Sequence, residues 1–167
     1  MYQIGEKVVY GVHGVCQIVD QETRVVDRKC VTYLVLEPLG QGSARYLVPT
    51  HNTAAMAKLK LIMTREELEN LLRSEAIRKE IWIKDENLRK QTYRELIACG
   101  DRERLMQMVH TLYVHKRAQT DAGRKCHLCD ENFLRDAEKL LIGEVSVILD
   151  VDPEQAKQYL RSNLKEA

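Results

Sequence analysis

Gly5-Glu6-Lys7-Val8-Val9-Tyr10, followed at once by Val12-His13-Gly14-Val15-Cys16-Gln17-Ile18, decides how the chain is read. Apolar and polar residues alternate in period two, β-branched residues dominate, and Gly11 and Gly14 punctuate the run. Val31-Thr32-Tyr33-Leu34-Val35-Leu36 and Arg45-Tyr46-Leu47-Val48-Pro49 repeat the pattern. Between them lie the turn-rich segments Asp27-Arg28-Lys29 and Pro38-Leu39-Gly40-Gln41-Gly42-Ser43. Strands this short, joined by turns this tight, predict a small SH3- or Tudor-like barrel, which limits its exposed edges by curling on itself.

Outward from that block the pattern changes. Lys58-Leu59-Lys60-Leu61-Ile62 reads as a possible last strand. Thr64-Arg65-Glu66-Glu67 then forms a capping box, in which the threonine side chain accepts from the Glu67 amide and Glu67 reaches back. Leu68, Leu71 and Leu72 follow at helical spacing. A helix through Leu88, Tyr93, Leu96 and Ile97 stops at Gly100, and Asp101 caps the next, which carries Leu105, Met108, Val109, Leu112 and Tyr113. Asp130 is expected to open a helix through Phe133, Leu134, Ala137, Leu140, Leu141, Val145 and Ile148, and Asp152-Pro153 to open a final one. The predicted class is α+β: a β barrel over residues 1–63 followed by a helical bundle over residues 64–167.

Composition narrows the function. The chain has 167 residues, 31% charged and 44% hydrophobic, with formal net charge +1, so no bulk field draws it to nucleic acid or membrane. No apolar run approaches the ~20 residues of a membrane helix, and Met1-Tyr2-Gln3-Ile4-Gly5-Glu6 lacks a signal-peptide pattern. The five cysteines are scattered, which predicts reduced thiols. Beneath the small net charge, the stretch from Arg73 to Lys125 is rich in cations and the stretch from Cys126 onward in acids. A basic middle of this kind is either a phosphate-facing surface or a solvated helical face. Cys126-His127-Leu128-Cys129 offers two thiols and an imidazole, but no second close pair completes a closed zinc set, and no βαβ context makes it a redox motif. No phosphate loop, nucleophile elbow or paired metal-binding histidines occur, so no catalysis, metal or cofactor is expected.

Gly5-x-x-Val8-Val9-Tyr10, His13-Gly14, Tyr33-Leu34-Val35-Leu36 and Val48-Pro49 together resemble the CarD/CdnL family of bacterial RNA polymerase-binding proteins. Tyr93-Arg94-x-Leu96-x-x-x-Gly100-Asp101, Leu112-Tyr113 and Ala137-Glu138-Lys139-Leu140-Leu141-x-x-Glu144 resemble its helical domain. The resemblance implies a barrel that docks on the polymerase β subunit and a helical domain that leans on promoter DNA at the edge of the melted region, with a tryptophan wedge holding the open complex. It implies no enzyme activity and a cytoplasmic, nucleoid-associated protein, and a monomer is expected. Arg24 stands where the family has a contact arginine. The family's second contact arginine falls at Leu47 here, with Arg45 two residues earlier on the same strand face. The implied polymerase-binding set is Arg24, Arg45, Tyr46 and Leu47; the DNA-binding set is Trp82, Lys84, Arg89, Lys90 and Arg94. DNA contact is expected to be weak and non-specific.

Two readings of Trp82 stand side by side. It is either a minor-groove wedge flanked by cations or, as part of Ile81-Trp82-Ile83, a residue packed on the bundle. A second function class also stands: a protein-interaction adaptor whose barrel binds a peptide, with Tyr10, Tyr33 and Tyr46 as candidate walls of an aromatic cage and no DNA role.

Overall fold

The computed structural model describes residues 1–40 and 42–165, and divides into two compact units, Met1–Ile62 and Met63 onward. Each has its own hydrophobic core.

The first unit is an antiparallel sheet of five strands: β1 (Lys7–Tyr10), β2 (Val15–Val26), β3 (Lys29–Pro38), β4 (Tyr46–Pro49) and β5 (Leu59–Leu61). Their order in space is β4-β3-β2-β1-β5. A short helix, α1 (Thr53–Met56), precedes β5 and is capped by the Asn52 side chain. Period two places Val8, Cys16, Ile18, Leu34, Leu36, Val48 and Leu59 on one face, where they pack as the core. Between β1 and β2 the chain reverses through Gly14 at φ 75°, ψ −151°, a backbone conformation open to glycine alone, so the His13-Gly14 turn is sterically required. The long β2–β3 hairpin turns on Asp27 and Arg28, both at positive φ (50° and 64°). The register slips once, between Ile18 and Asp20, and the bulge resets which residues of β2 face the core. Tyr10 on β1 and Tyr46 on β4 have two strands between them in the sheet order, yet their rings lie 5.8 Å apart. Only a strongly curled sheet brings them together, which is the barrel-like curvature expected from short, turn-bounded strands.

The second unit comprises α2 (Arg65–Arg73), a 3-10 turn (Glu75–Arg78), α3 (Glu86–Cys99), α4 (Arg102–Asp121), α5 (Leu128–Leu149) and α6 (Pro153–Lys165). The capping box closes α2: the Glu67 amide donates to Thr64 Oγ1 at 3.1 Å, and Glu67 Oε2 accepts from the Thr64 amide at 2.7 Å. Gly100 ends α3 in the left-handed conformation at φ 68°, and Asp101 caps α4. Asp152 caps α6, with Pro153 at its first position. One boundary departs from expectation. The helix expected to open at Asp130 opens two residues earlier, and its capping residue, His127, makes no side-chain cap. Asp130 points inward instead and is fully buried.

Tyr93, Leu112, Leu141, Leu160 and Leu164 fill the core between these helices. A buried carboxylate fixes the point where the chain enters the unit. Glu144 accepts from the Met63 amide at 3.0 Å and from Arg102 Nε at 2.9 Å. Its side chain is 4% exposed, so loss of the carboxylate leaves a buried amide unsatisfied and a cation without its partner. Glu144→Ala is therefore expected to destabilise the helical unit by about 3 kcal/mol. Urea unfolding followed by circular dichroism checks this; an unchanged midpoint would contradict the anchoring role.

Candidate functional site

On the sheet, cross-strand register decides which of the sequence-predicted residues share a face. Leu47 sits opposite Val35, which sits opposite Asp20; Pro49, Tyr33 and Glu22 align next, followed by Val31 and Arg24. Partners directly across a ladder project to the same side. Glu22, Arg24, Tyr33 and Leu47 therefore occupy the face opposite the core cluster. Arg45 joins them, since its Nε donates to Glu37 at 2.7 Å, two residues from Val35 on β3. Arg24 makes a similar link: its Nη2 lies 2.6 Å from Glu22 Oε2. Both ion pairs are solvent-facing, with the arginine side chains 51% and 65% exposed, so either cation is easily recruited by a stronger anion. Among the described residues β4 pairs only with β3 and so stands at one edge of the sheet.

Tyr46 does not join this face. Period two turns it toward the core side, where its ring lies 4.3 Å from that of His13, which in turn lies 5.2 Å from Tyr10. Consecutive strand residues project to opposite faces, so Tyr46 is parted from Arg45 and Leu47. Tyr33 and Tyr46 lie on opposite faces of the sheet, so Tyr10, Tyr33 and Tyr46 do not converge into a cage.

In the helical unit the segment from Lys79 to Asp85 is extended and strapped down. The Ile81 amide donates to Thr111 Oγ1 at 2.9 Å, and the Tyr93 hydroxyl donates to the Ile81 carbonyl at 3.1 Å. This strap carries Trp82 into a stack. The indole centroid lies 3.6 Å from that of His115 and 4.3 Å from the Arg89 guanidinium carbon. Distances this short leave room for one group per face, so the indole is held between the imidazole and the cation. Trp82 is accordingly half-buried and packs against the bundle core.

Arg89 is a correction to the surface set. It is 3% exposed and grips Asp130 with two bonds, Nε to Oδ1 at 2.8 Å and Nη2 to Oδ2 at 3.1 Å. Nη1 donates to the Ile83 carbonyl at 2.9 Å. Every edge of the guanidinium is occupied, and no phosphate can reach it without breaking the pair. Of the other predicted cations, Lys84 and Arg94 are exposed. Lys90 is tied to Glu86 at 2.6 Å, a surface contact that raises the lysine pKa and lowers that of the carboxyl. The free cations near Trp82 are thus Lys79, Lys84 and Arg94, with Asp85, Glu86 and Glu95 among them.

Burial holds the His115 imidazole below its ordinary pKa, with Arg89 and His127 adding to the effect and Asp130 opposing it. Burial also raises the Tyr93 phenol to about 12. Cys126 and Cys129 are half-exposed free thiols at the start of α5, and burial raises the Cys126 pKa, which disfavours the thiolate. Among the described residues no cluster of three or more His, Cys, Asp or Glu side chains is placed to hold a metal ion. No described helix is long and apolar enough to cross a membrane.

Sequence reasoning missed both stacks and the Arg89–Asp130 pair. The partners are 41 residues apart, and Asp130 carries the local signature of a helix cap, so only the fold reveals its role.

Residues 2–60 match the model of the CarD-like/TRCF RID domain. The match agrees with the resemblance read from the sequence, and covers β1 to β4 and most of β5. This domain is a non-enzymatic interaction module for the RNA polymerase β subunit.

Two outcomes follow for the helical unit. Arg89→Ala should cost about 3–5 kcal/mol, because it leaves Asp130 buried and uncompensated; denaturant titration checks this. The His115 contribution has a definite sign. Its folded pKa lies below its unfolded value, so the folded state resists protonation. Stability is full above the unfolded value of about 6.5 and declines as pH falls through the folded pKa. Thermal melts across this window should show the decline in the native protein and a flatter profile in His115→Phe, which keeps the stack without the titration.

Proposed function

We propose that this protein is a transcription regulator that docks on RNA polymerase through its sheet and touches promoter DNA through its helical unit, favouring the open complex. The observation that carries this reading is the match of residues 2–60 to an RNA polymerase-interaction domain, on a sheet where Arg24, Arg45 and Leu47 are exposed on the same face. An apolar residue between two recruitable arginines, on an edge strand, suits docking by strand addition. Main-chain bonds supply affinity, and the arginines supply register.

DNA contact falls to Lys79, Lys84 and Arg94, cations that are exposed beside the Trp82 strap. Trp82 and Arg89 act from inside: they fix the strap that presents Lys84. Because acids interleave with these cations, few phosphates are neutralised together, and the isolated protein binds duplex weakly. Tethering to polymerase raises the local concentration enough for such a contact to count. Preferential binding to the open state is all that is needed to shift the equilibrium toward it.

Two variants separate the two faces. Arg24→Glu should weaken binding to the isolated β subunit about tenfold, as for a contact at an interface anchor. Lys84→Glu/Arg94→Glu should leave that affinity intact and shorten the lifetime of the polymerase–promoter open complex. Full β-subunit affinity in Arg24→Glu would remove the residue from the interface. An unchanged lifetime in the double variant would leave a pure docking adaptor.

A further inference from the structure

A second basic feature lies on α4, α5 and α6, away from the residues named so far. A cleft of about 330 Å³ opens between these helices. Arg135 and Lys139 line it from α5, and Lys157 and Arg161 from α6. Each couple is spaced i, i+4, so each sets two like charges side by side on its helix, an arrangement that is mildly destabilising by itself. The couples also share one cleft, so each adds to the repulsion on the other. Lys116 of α4 adds a fifth cation.

Three carboxylates answer these five. Glu138, 5% exposed, holds Arg161 at 2.8 Å, Asp136 stands 3.7 Å from Arg135, and Glu131 stands 3.8 Å from Lys116. Lys139 and Lys157 make no ion pair or hydrogen bond among the described residues. Lys139 and Lys157 are therefore the two cations of the cleft left open to an anion.

The cleft is continuous with a larger cavity of about 560 Å³, the two sharing Lys116, Leu134 and Arg161 as walls. The larger space has a mixed lining: Tyr113, Val114, Ala118 and Leu134 offer apolar surface, beside Arg117, Thr120 and Asp121. Both volumes fall in the range of small-molecule sites, roughly 300–1,000 Å³. A partly apolar groove beside a cationic one, with Lys116 and Arg161 shared between them, matches a ligand with an apolar ring at one end and a multiply charged anion at the other.

We infer that the α4–α5–α6 junction binds a nucleoside polyphosphate, its base against Tyr113, Val114 and Ala118 and its phosphates between Lys139 and Lys157. Binding would make the stability of the helical unit depend on the ligand's concentration, which gives the protein an input independent of its polymerase and DNA contacts.

Isothermal titration of the full-length protein with GTP tests this, with inorganic triphosphate and a short DNA duplex as parallel probes. GTP should bind with one-to-one stoichiometry, and triphosphate at least about tenfold more weakly, since it lacks the group that fills the partly apolar groove. Lys139→Glu/Lys157→Glu removes like-charge repulsion and should fold normally, yet lose GTP affinity by about tenfold or more. Ala118→Trp, which fills the larger cavity, should weaken GTP and leave triphosphate unchanged. Absence of GTP binding at millimolar concentration overturns the inference. So does equal binding of GTP and triphosphate that Ala118→Trp does not alter. Duplex binding that is lost in Lys139→Glu/Lys157→Glu, with no GTP binding, also overturns it and makes the junction a nucleic-acid surface.

Discussion

The helical unit is organised around one buried charge. Asp130 has no access to water, and an isolated carboxylate in that position is prohibitively unfavourable. Arg89 makes it tolerable with a two-pronged bond, and this ties the first turn of α3 to the first turn of α5. The same guanidinium holds the Ile83 carbonyl and lies over the Trp82 ring. One cation thus neutralises an acid, joins two helices, anchors an extended strap and covers an aromatic face. Such a pair is a weak source of net stability compared with apolar packing, but it is intolerant of a missing partner. It specifies which ends of which helices meet.

The consequences reach the surface. Because Asp130 is drawn inward, α5 begins at Leu128 without a side-chain cap. Because Arg89 is drawn inward, the run Lys84 to Arg94 presents fewer cations than its composition promises. Because Trp82 is sandwiched between Arg89 and His115, its indole is a structural pier of the strap. What remains exposed there is sparse and mixed in sign. The sheet differs: it is a curled ladder with one apolar face turned inward and, on the other, two arginines held only by solvent-facing carboxylates. The two units contrast in charge environment, shallow on the sheet, deep and fixed in the bundle.

Much of this was legible in the sequence because it depends on short-range rules. Alternation, turn chemistry and glycine punctuation predict the strands. The Thr64 capping box, Gly100, Asp101 and Asp152-Pro153 mark helix ends through bonds that span three or four residues, and each forms as the local pattern requires. The shared face of Arg45 and Leu47 was legible for the same reason, since a two-residue period fixes a face; Arg24 entered through the family resemblance, and only the cross-strand register puts it on that side. Tyr46, named with them, was separable by that rule alone.

The sequence by itself therefore determined the α+β order, the change from a two-residue to a helical period near residue 63, and the caps that delimit most helices. Tertiary structure alone decided the partners of the charged and aromatic residues. Arg89 and Lys90 are neighbours of the same type of charge, yet one is buried on Asp130 and the other lies at the surface on Glu86. Asp130 and Asp152 carry the same local signature, yet only the second caps a helix. The reason is physical: capping and periodicity are set by bonds within one turn or one pleat, whereas burial is set by whichever distant segment packs above a side chain, and no local pattern encodes that choice.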